Sequence, residues 1–216
     1  MPSFGSKPKL NKDQEKHLKG TTTVGIVCQD GVVLATDTRA TAGYLVASKT
    51  ARKIYPVSSH IAFTTAGGVA DTQRLVDIMR AETSYYQISE GALMPVSACA
   101  RLLANILNAY SFLPLIANIL VGGVDARGPH LYFLDLDGGL TEEEMVATGS
   151  GSPVAYGLLE NSFKSGMRAS EALPIAVRAV QMAMRRDIAT GNEVMAASIT
   201  DRGYRELSPA EITTMV

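Results

Sequence analysis

The stretch "LKGTTTVGIVCQDGVVLATDTRA", residues 18–40, indicates where the folded core begins. Two β-rich runs, "TTTVGIVC" and "VVLATD", flank Gln29-Asp30-Gly31. An Asp-Gly pair between such runs is a strong hairpin signal, because its backbone accepts positive φ angles. We therefore expect an antiparallel hairpin whose first strand starts near residue 21, well after the N-terminus.

The charge of the chain is unevenly distributed. The 216 residues are 46% hydrophobic, enough for one core, and carry a formal net charge of -1. Residues 1–20 hold five lysines against one aspartate and one glutamate, a net +3, which leaves -4 for the remainder. This basic segment has no arginine and a single aromatic residue, Phe4. We interpret it as a disordered or removable leader, and expect no nucleic-acid partner.

Several protein classes do not fit the composition. The longest apolar run, from Phe112, is broken by Pro114 and Asn118, and residues 1–20 contain no signal-peptide hydrophobic stretch. Two cysteines and three scattered histidines predict neither a disulfide framework nor a metal site. A phosphate-binding glycine loop is absent. We expect a cytoplasmic protein with no cofactor, metal or membrane partner.

Strands and helices alternate in groups along the chain. Residues 60–67 read as a strand and are followed by helical patterns over about 69–88 and 95–110. Three strand-like segments follow ("ANILVGGVD", "PHLYFLDL" and "EEMVATGS"), then a short helix ending within 157–163, a helix over about 169–189, and a hairpin turning at 201–203. This order predicts an α+β fold, a four-layer αββα sandwich of two antiparallel sheets flanked by helices, formed by a single domain over 21–216.

Thr21 has the properties of a nucleophile that is exposed by removal of the leader. Cleavage after Gly20 would place a hydroxyl and a free α-amine on the same residue. An α-amine with a pKa of about 7.7 to 8.0 is partly neutral near pH 7 and can accept the hydroxyl proton. Before cleavage that nitrogen is an amide and cannot act as a base. Gly20 adds no side chain to obstruct the attack.

Charged residues near the predicted hairpin are candidate partners for Thr21. Asp37 ends its second strand, and Arg39 and Lys53 follow. A buried Lys53 held charged by Asp37 would lower the pKa values of the Thr21 hydroxyl and amine. By themselves these residues are also compatible with ordinary charges at strand ends.

The chain resembles proteasome β subunits of the archaeal type, which are N-terminal nucleophile hydrolases. The resemblance rests on "GTTTVGI", "ATDTRAT", Lys53, "TAGGVAD", "TGSGSP" and "RRD...TG", in order over nearly all of residues 20–207. It implies the four-layer αββα fold and a threonine endopeptidase that is made as a proprotein. It further implies a removable propeptide over 1–20 and autocatalytic cleavage of the Gly20-Thr21 bond.

The resemblance also assigns site residues. Thr21 would be the nucleophile, with Asp37 and Lys53 completing its charge network, and the Gly67 amide would donate to the oxyanion. Ser150 and Asp187 match the outer shell that orients the Thr21 amine. This family usually has a serine three residues after that aspartate, where this chain has Thr190. Threonine keeps the hydroxyl, so we expect the contact to persist with altered packing.

Substrate and partner predictions follow from the same resemblance. The backbones of Thr41, Gly67 and Val69 would pair with an extended, unfolded substrate. The specificity pocket would be formed by Ala40, Ala51, Tyr55, Thr65, Val69 and Gln73, whose small or neutral side chains predict cleavage after apolar residues. The implied assembly has seven-membered homo-oligomeric β rings, α-subunit rings and a regulatory ATPase.

Three alternatives stay open from the sequence. A catalytically silent ring subunit would have no chemical need for Gly20, Thr21, Asp37 and Lys53 together. An amidase of the same fold acting on small molecules would use the same nucleophile in a closed pocket. The bacterial two-ring relative would share the chemistry but work without α subunits.

Overall fold

Two antiparallel sheets form the centre of the molecule, for which the computed structural model describes residues 20–215. The predicted leader, except for Gly20, lies outside the described residues, as does Val216. The strands are β1 (Thr22–Cys28), β2 (Gly31–Asp37), β3 (Ala40–Ala42), β4 (Leu45–Ser48), β5 (Ile54–Pro56), β6 (Ile61–Gly67), β7 (Ala117–Asp125), β8 (Gly128–Leu134), β9 (Leu140–Glu142), β10 (Met145–Gly149), β11 (Val194–Thr200) and β12 (Gly203–Glu206). The helices are α1 (Val69–Glu90), α2 (Val96–Ala109), α3 (Ser152–Ser162), α4 (Ala169–Met184) and α5 (Pro209–Thr213).

The strand order confirms the predicted architecture. One sheet runs β10-β1-β2-β11-β12 and the other β5-β6-β7-β8-β9, while β3 and β4 form a separate small hairpin. Every recorded strand pairing is antiparallel. The fold is therefore α+β, without the parallel sheet that a βαβ order would produce.

Three apolar clusters define the four layers. Leu34, Ala62 and Leu120 belong to a buried cluster between the two sheets. Val180 of α4 packs with Val24 of β1 in a second cluster, on the outer face of the first sheet. A third cluster covers the outer face of the other sheet with side chains of α1 and α2, among them Met79 and Leu103, against Phe63 and Ile119. Because each sheet is covered on both faces, the strands β1, β2 and β6 are buried almost throughout.

The first hairpin forms as predicted, but its turn is shifted by one residue. Cys28 pairs with Gly31, so the turn consists of Gln29 and Asp30 and Gly31 is the first residue of β2. Gly31 is not among the residues with positive φ. Its role is steric, because a Cβ atom there would lie 2.2 Å from the Ile199 carbonyl oxygen. The Asp-Gly signal therefore located the hairpin while giving the wrong reason for the glycine.

Other boundaries differ from the sequence-based expectation. The helix predicted over 169–189 ends at Met184, and in the turn that follows the Asp187 side chain accepts the Ala189 N–H. Val69, the first residue of α1, is 40% exposed, whereas Leu75 and Met79 of the same helix are buried. The short elements β3, β4, β5, β9 and α5 were not predicted. A signal existed for α5, because Ser208 and Glu211 form a capping box and Pro209 follows the cap.

Among residues 20–215, no helix combines the length and the apolar character that crossing a bilayer requires. Within the same part of the chain, no group of three or more His, Cys, Asp or Glu side chains is arranged to hold a metal ion.

Candidate active site

The candidate site lies where several strand ends meet. Thr21 immediately precedes β1, and Asp37 and Gly67 are the last residues of β2 and β6. Thr22 is paired with Gly149, the last residue of β10, which places Ser150 beside the start of β1. The antiparallel order thus brings residues from the first and second halves of the chain to one end of the sandwich.

The side chain of Asp37 is held rigidly at the centre of the site. Its side chain is fully buried and accepts four hydrogen bonds. Oδ1 receives the Thr22 N–H at 3.0 Å and Lys53 Nζ at 2.8 Å. Oδ2 receives the N–H groups of Arg39 at 3.0 Å and Gly191 at 2.9 Å. Both carboxylate oxygens are therefore held by two donors each, and the side chain cannot turn without breaking several bonds.

Lys53 is a buried cation with restricted geometry. It is 6% exposed, and Nζ donates to Asp37 Oδ1 and, at 2.6 Å, to the Arg39 carbonyl oxygen. Burial lowers its pKa below the ordinary lysine value, and the charge and hydrogen bond of Asp37 oppose that shift only in part. An ammonium has three N–H donors, and Lys53 lines the same cavity as Thr21. Because its pKa is lowered, the Lys53 ammonium is easier to deprotonate than that of a free lysine.

Thr21 is buried beside the peptide bond that precedes it. Its side-chain hydroxyl donates to the Gly20 carbonyl oxygen at 2.7 Å, and the Thr21 N–H donates to Ser150 Oγ at 3.3 Å. Gly20 is held from the other side, because its N–H donates to Thr41 Oγ1 at 3.3 Å. The Gly20-Thr21 unit is therefore anchored to the rest of the protein through two side chains, those of Ser150 and Thr41.

Ser150, Asp187 and Thr190 form a second hydrogen-bonded group. Ser150 Oγ and Thr190 Oγ1 both donate to Asp187 Oδ2, each at 2.5 Å. The threonine that stands where the related family usually has serine thus reaches the aspartate as expected. Since Ser150 also accepts the Thr21 N–H, this group contacts the candidate nucleophile through one hydroxyl.

Gly67 has a backbone conformation that requires glycine. Its φ is +151°, and a Cβ atom would lie 2.0 Å from the Ile116 carbonyl oxygen. Gly67 also borders both cavities next to Gly20. Any other residue would displace the end of β6 at the point where the chain turns into α1.

Two cavities border Gly20 on different sides. A void of about 20 Å³ is lined by six of the predicted substrate-binding residues, namely Ala40, Ala51, Tyr55, Thr65, Gly67 and Val69. A cleft of about 290 Å³ is lined by Gly20, Gly67, Ile116, Asn118, Leu136 and Ser150, among others. The first is lined by most of the residues predicted for the specificity pocket, and no sequence signal pointed to the second.

One predicted pocket residue lies elsewhere, and two others take part. Thr41, predicted to bind substrate through its backbone, does not line the void, and its hydroxyl accepts the Gly20 N–H. Gln73 is exposed, and Thr72 lines the void in its place, three residues after Val69 and so on the same side of the helix. Arg52 also lines the void, with its charge paired to Glu206. The i, i+3 spacing could have identified Thr72.

The sequence reasoning also missed Gly191 and Thr22. Gly191 gives its N–H to Asp37, from which it is separated by 154 residues. A Cβ atom at Gly191 would lie 2.3 Å from Arg39 Cζ. Such a contact has no signature in the local sequence, because it depends on how the loop after α4 meets the end of β2.

Comparison with known proteins identifies the family. The family model described as "Proteasome subunit" matches residues 17–199. The chain belongs to the proteasome family. Three archaeal relatives are each described as "Proteasome subunit beta". The relative from Methanohalophilus mahii is 48% identical over 93% of this chain and 96% of its own length. Those from Archaeoglobus profundus and Methanosphaerula palustris are 48% and 50% identical, over 94% and 88% of this chain and 95% and 91% of their own lengths.

The alignments cover nearly the whole length of these proteasome subunits. The predicted resemblance to archaeal proteasome β subunits is thereby confirmed, and the observed four-layer fold agrees with it. The matched range 17–199 includes every residue that was predicted for the site.

Proposed function

We propose that this chain is the proteolytic β subunit of a 20S proteasome core, a threonine endopeptidase activated by cleavage of its own Gly20-Thr21 bond. The observation that carries the proposal is the Thr21 hydroxyl, hydrogen-bonded at 2.7 Å to the carbonyl oxygen of the bond to be cleaved. Asp37 and Lys53 on one side and Ser150, Asp187 and Thr190 on the other surround it. Residues 1–20 would be the propeptide and 21–216 the mature subunit.

Activation would proceed as an acyl shift followed by hydrolysis. Thr21 Oγ1 bonds to the Gly20 carbonyl carbon, the bond from that carbon to the Thr21 nitrogen breaks, and the hydroxyl proton ends on the nitrogen. Water then hydrolyses the resulting ester and leaves a carboxyl group on Gly20. The Thr21 nitrogen is an amide at the first step, so another base is needed. Lys53, with its lowered pKa, supports that role.

Peptide hydrolysis would reuse the same groups. The free Thr21 amine accepts the hydroxyl proton, the oxygen attacks a peptide carbonyl, and the amine returns the proton to the departing nitrogen. The Gly67 N–H would donate to the oxyanion, an interaction that typically lowers the barrier by about 2.7 to 4 kcal/mol. Ser150, held by Asp187, would orient the amine. Water then releases the second product from the ester.

The substrate would be an unfolded protein that binds as an extended strand. The backbones of Thr41, Gly67 and Val69 would pair with it. Its side-chain preference would be set by residues that line the void, namely Ala40, Ala51, Tyr55, Thr65, Val69 and Thr72. The subunit would act in the cytoplasm, in seven-membered β rings capped by α rings and fed by a regulatory ATPase. The archaeal relatives are proteasome β subunits, which supports assembly of this chain with other proteasome subunits.

The intact mass of the full-length chain, assembled with its α partner, tests the proposal. We expect loss of residues 1–20, accompanied by hydrolysis of unfolded protein. Retention of the leader in the assembled particle, with no peptidase activity, would contradict it and would indicate a silent subunit. Activity on small amides without activity on peptides would indicate an amidase instead.

We expect cleavage mainly after apolar residues. The predicted pocket presents Ala40, Ala51 and Val69, and the nearest cations, Arg52 and Lys53, are already paired with Glu206 and Asp37. A panel of fluorogenic peptides differing only at the residue before the cleaved bond measures this preference. A higher kcat/KM for a basic or acidic residue at that position would refute it. Leu and Asn have similar shapes and differ in polarity, so comparing them at that position is the internal control.

A further inference from the structure

Thr22, the residue after the proposed nucleophile, connects the two hydrogen-bonded groups of the site. Its backbone N–H donates to Asp37 Oδ1, the oxygen that also binds Lys53. Its side-chain oxygen lies 2.7 Å from Thr190 Oγ1. One residue thus contacts the Asp37 group through its backbone and the Asp187 group through its side chain.

Counting protons fixes the direction of the contact between the two threonines. Thr190 has one hydroxyl proton, and at 2.5 Å that proton is donated to Asp187 Oδ2. Thr190 can therefore only accept from Thr22, whose hydroxyl is the donor. The bonds converge on Asp187, from Thr22 through Thr190 on one side and from Thr21 through Ser150 on the other.

The surroundings of the Thr22 hydroxyl are closely packed. Thr22 and Thr190 are both fully buried. Gly151 leaves the space for the hydroxyl, because a Cβ atom there would lie 2.1 Å from Thr22 Oγ1 and 3.1 Å from Thr190 Oγ1. Without the Thr22 hydroxyl, the buried Thr190 oxygen would lose its donor, and water has no room to replace it.

We infer that Thr22 is a positioning residue: its hydroxyl orients Thr190 and Asp187, and through Ser150 it sets the position and basicity of the Thr21 amine. This inference rests on the proposed threonine-protease function. The charged groups around that amine are Asp37 and Lys53 on one side and Asp187 on the other. Arg39 donates its backbone N–H to Asp37, and its guanidinium donates to the Asn192 side chain and to the Ile188 carbonyl oxygen. Without the hydrogen bond from Thr22, Thr190 donates more weakly to Asp187. The negative charge of Asp187 is then less compensated, which raises the pKa of the Thr21 amine.

The test compares Thr22→Val with Thr23→Val in the full-length chain assembled with its α partner. Thr23 is an adjacent, equally buried residue whose hydroxyl pairs with Thr148 at 2.8 Å, on the opposite face of β1. Valine keeps the shape of threonine and removes only the hydroxyl. For Thr22→Val we expect a kcat about tenfold lower with KM little changed. We also expect the acid limb of the pH profile to move up by about half a unit. Thr23→Val should leave both unchanged.

Thr22→Ser, which keeps the hydroxyl, should restore the kcat and the pH profile. Equal kcat values and equal pH profiles for Thr22→Val and Thr23→Val would overturn the inference while leaving the proposed function intact, provided that the wild type is active. An inactive wild type would overturn the proposed function itself. If Thr22→Val and Thr22→Ala both fail to fold while Thr22→Ser is fully active, the hydroxyl serves stability and the inference is wrong.

Discussion

Thr21→Ala is expected to abolish both removal of the leader and peptide hydrolysis, with a loss in kcat of about 10⁴-fold or more. The Thr21 hydroxyl is the group that would form the covalent bond, and alanine has nothing to replace it. The fold should persist, because the recorded bond of that hydroxyl is to the adjacent Gly20 carbonyl oxygen. Intact mass, a fluorogenic peptide assay and a thermal unfolding curve measure the three effects.

Thr21→Ser is the matched control for this prediction. Serine keeps the hydroxyl and lacks only the methyl group, so some cleavage of the leader and some hydrolysis should remain. A Thr21→Ala protein that still removes residues 1–20 and hydrolyses peptides at the wild-type rate would contradict the entire assignment. Equal inactivity of the alanine and serine variants in folded protein would point to a role for Thr21 other than nucleophile.

Asp37→Asn is expected to cost about 3 to 5 kcal/mol of unfolding free energy and to remove activity. Asp37 is fully buried and neutralises Lys53, which is 6% exposed. The amide would leave that ammonium without its counter-charge. It would also direct an NH₂ group at two of the four donors that now bind the carboxylate. Urea unfolding of the variant and the wild type measures the loss.

Glu206→Gln provides the control for charge removal. Glu206 is paired with Arg52, and both side chains are more than a third exposed: Glu206 by 35% and Arg52 by 48%. We expect a change below about 1 kcal/mol. A loss for Asp37→Asn no larger than that of Glu206→Gln would refute the view that the Asp37–Lys53 pair stabilises the site.

The stability loss of Asp37→Asn is expected to change with pH in a definite direction. Burial holds the pKa of Lys53 below its ordinary value, so the unfolded chain binds more protons than the folded chain between the two pKa values. Stability contributed by this group therefore rises as pH increases through the folded pKa. Without Asp37 the pKa falls further, and the deficit of Asp37→Asn should be reduced at alkaline pH. A deficit that grows with pH would contradict this account.

Short-range patterns were sufficient for most of the secondary structure. Two β-rich runs on either side of an Asp-Gly pair located β1 and β2. The apolar positions of α2 at helical spacing located that helix, because this period follows from helix geometry alone. The prediction failed where tertiary contacts decide. The helix α4 ends at Met184, and Asp187, which the prediction placed in that helix, accepts hydrogen bonds from Ser150 and Thr190. The small hairpin of β3 and β4 has no strong periodic pattern.

The candidate site divides in the same way. The sequence alone was sufficient to propose Thr21, because a threonine directly after a predicted leader can become a free N-terminus. It also indicated Asp37 and Lys53 as candidates by their closeness to the first hairpin. Ser150, Asp187 and Thr190 came from resemblance to a family. Only the tertiary structure decided that Thr22 binds Thr190 across 168 residues and that Gly191 binds Asp37 across 154. Such contacts depend on how two sheets and a distant loop meet, and no local sequence pattern encodes that meeting.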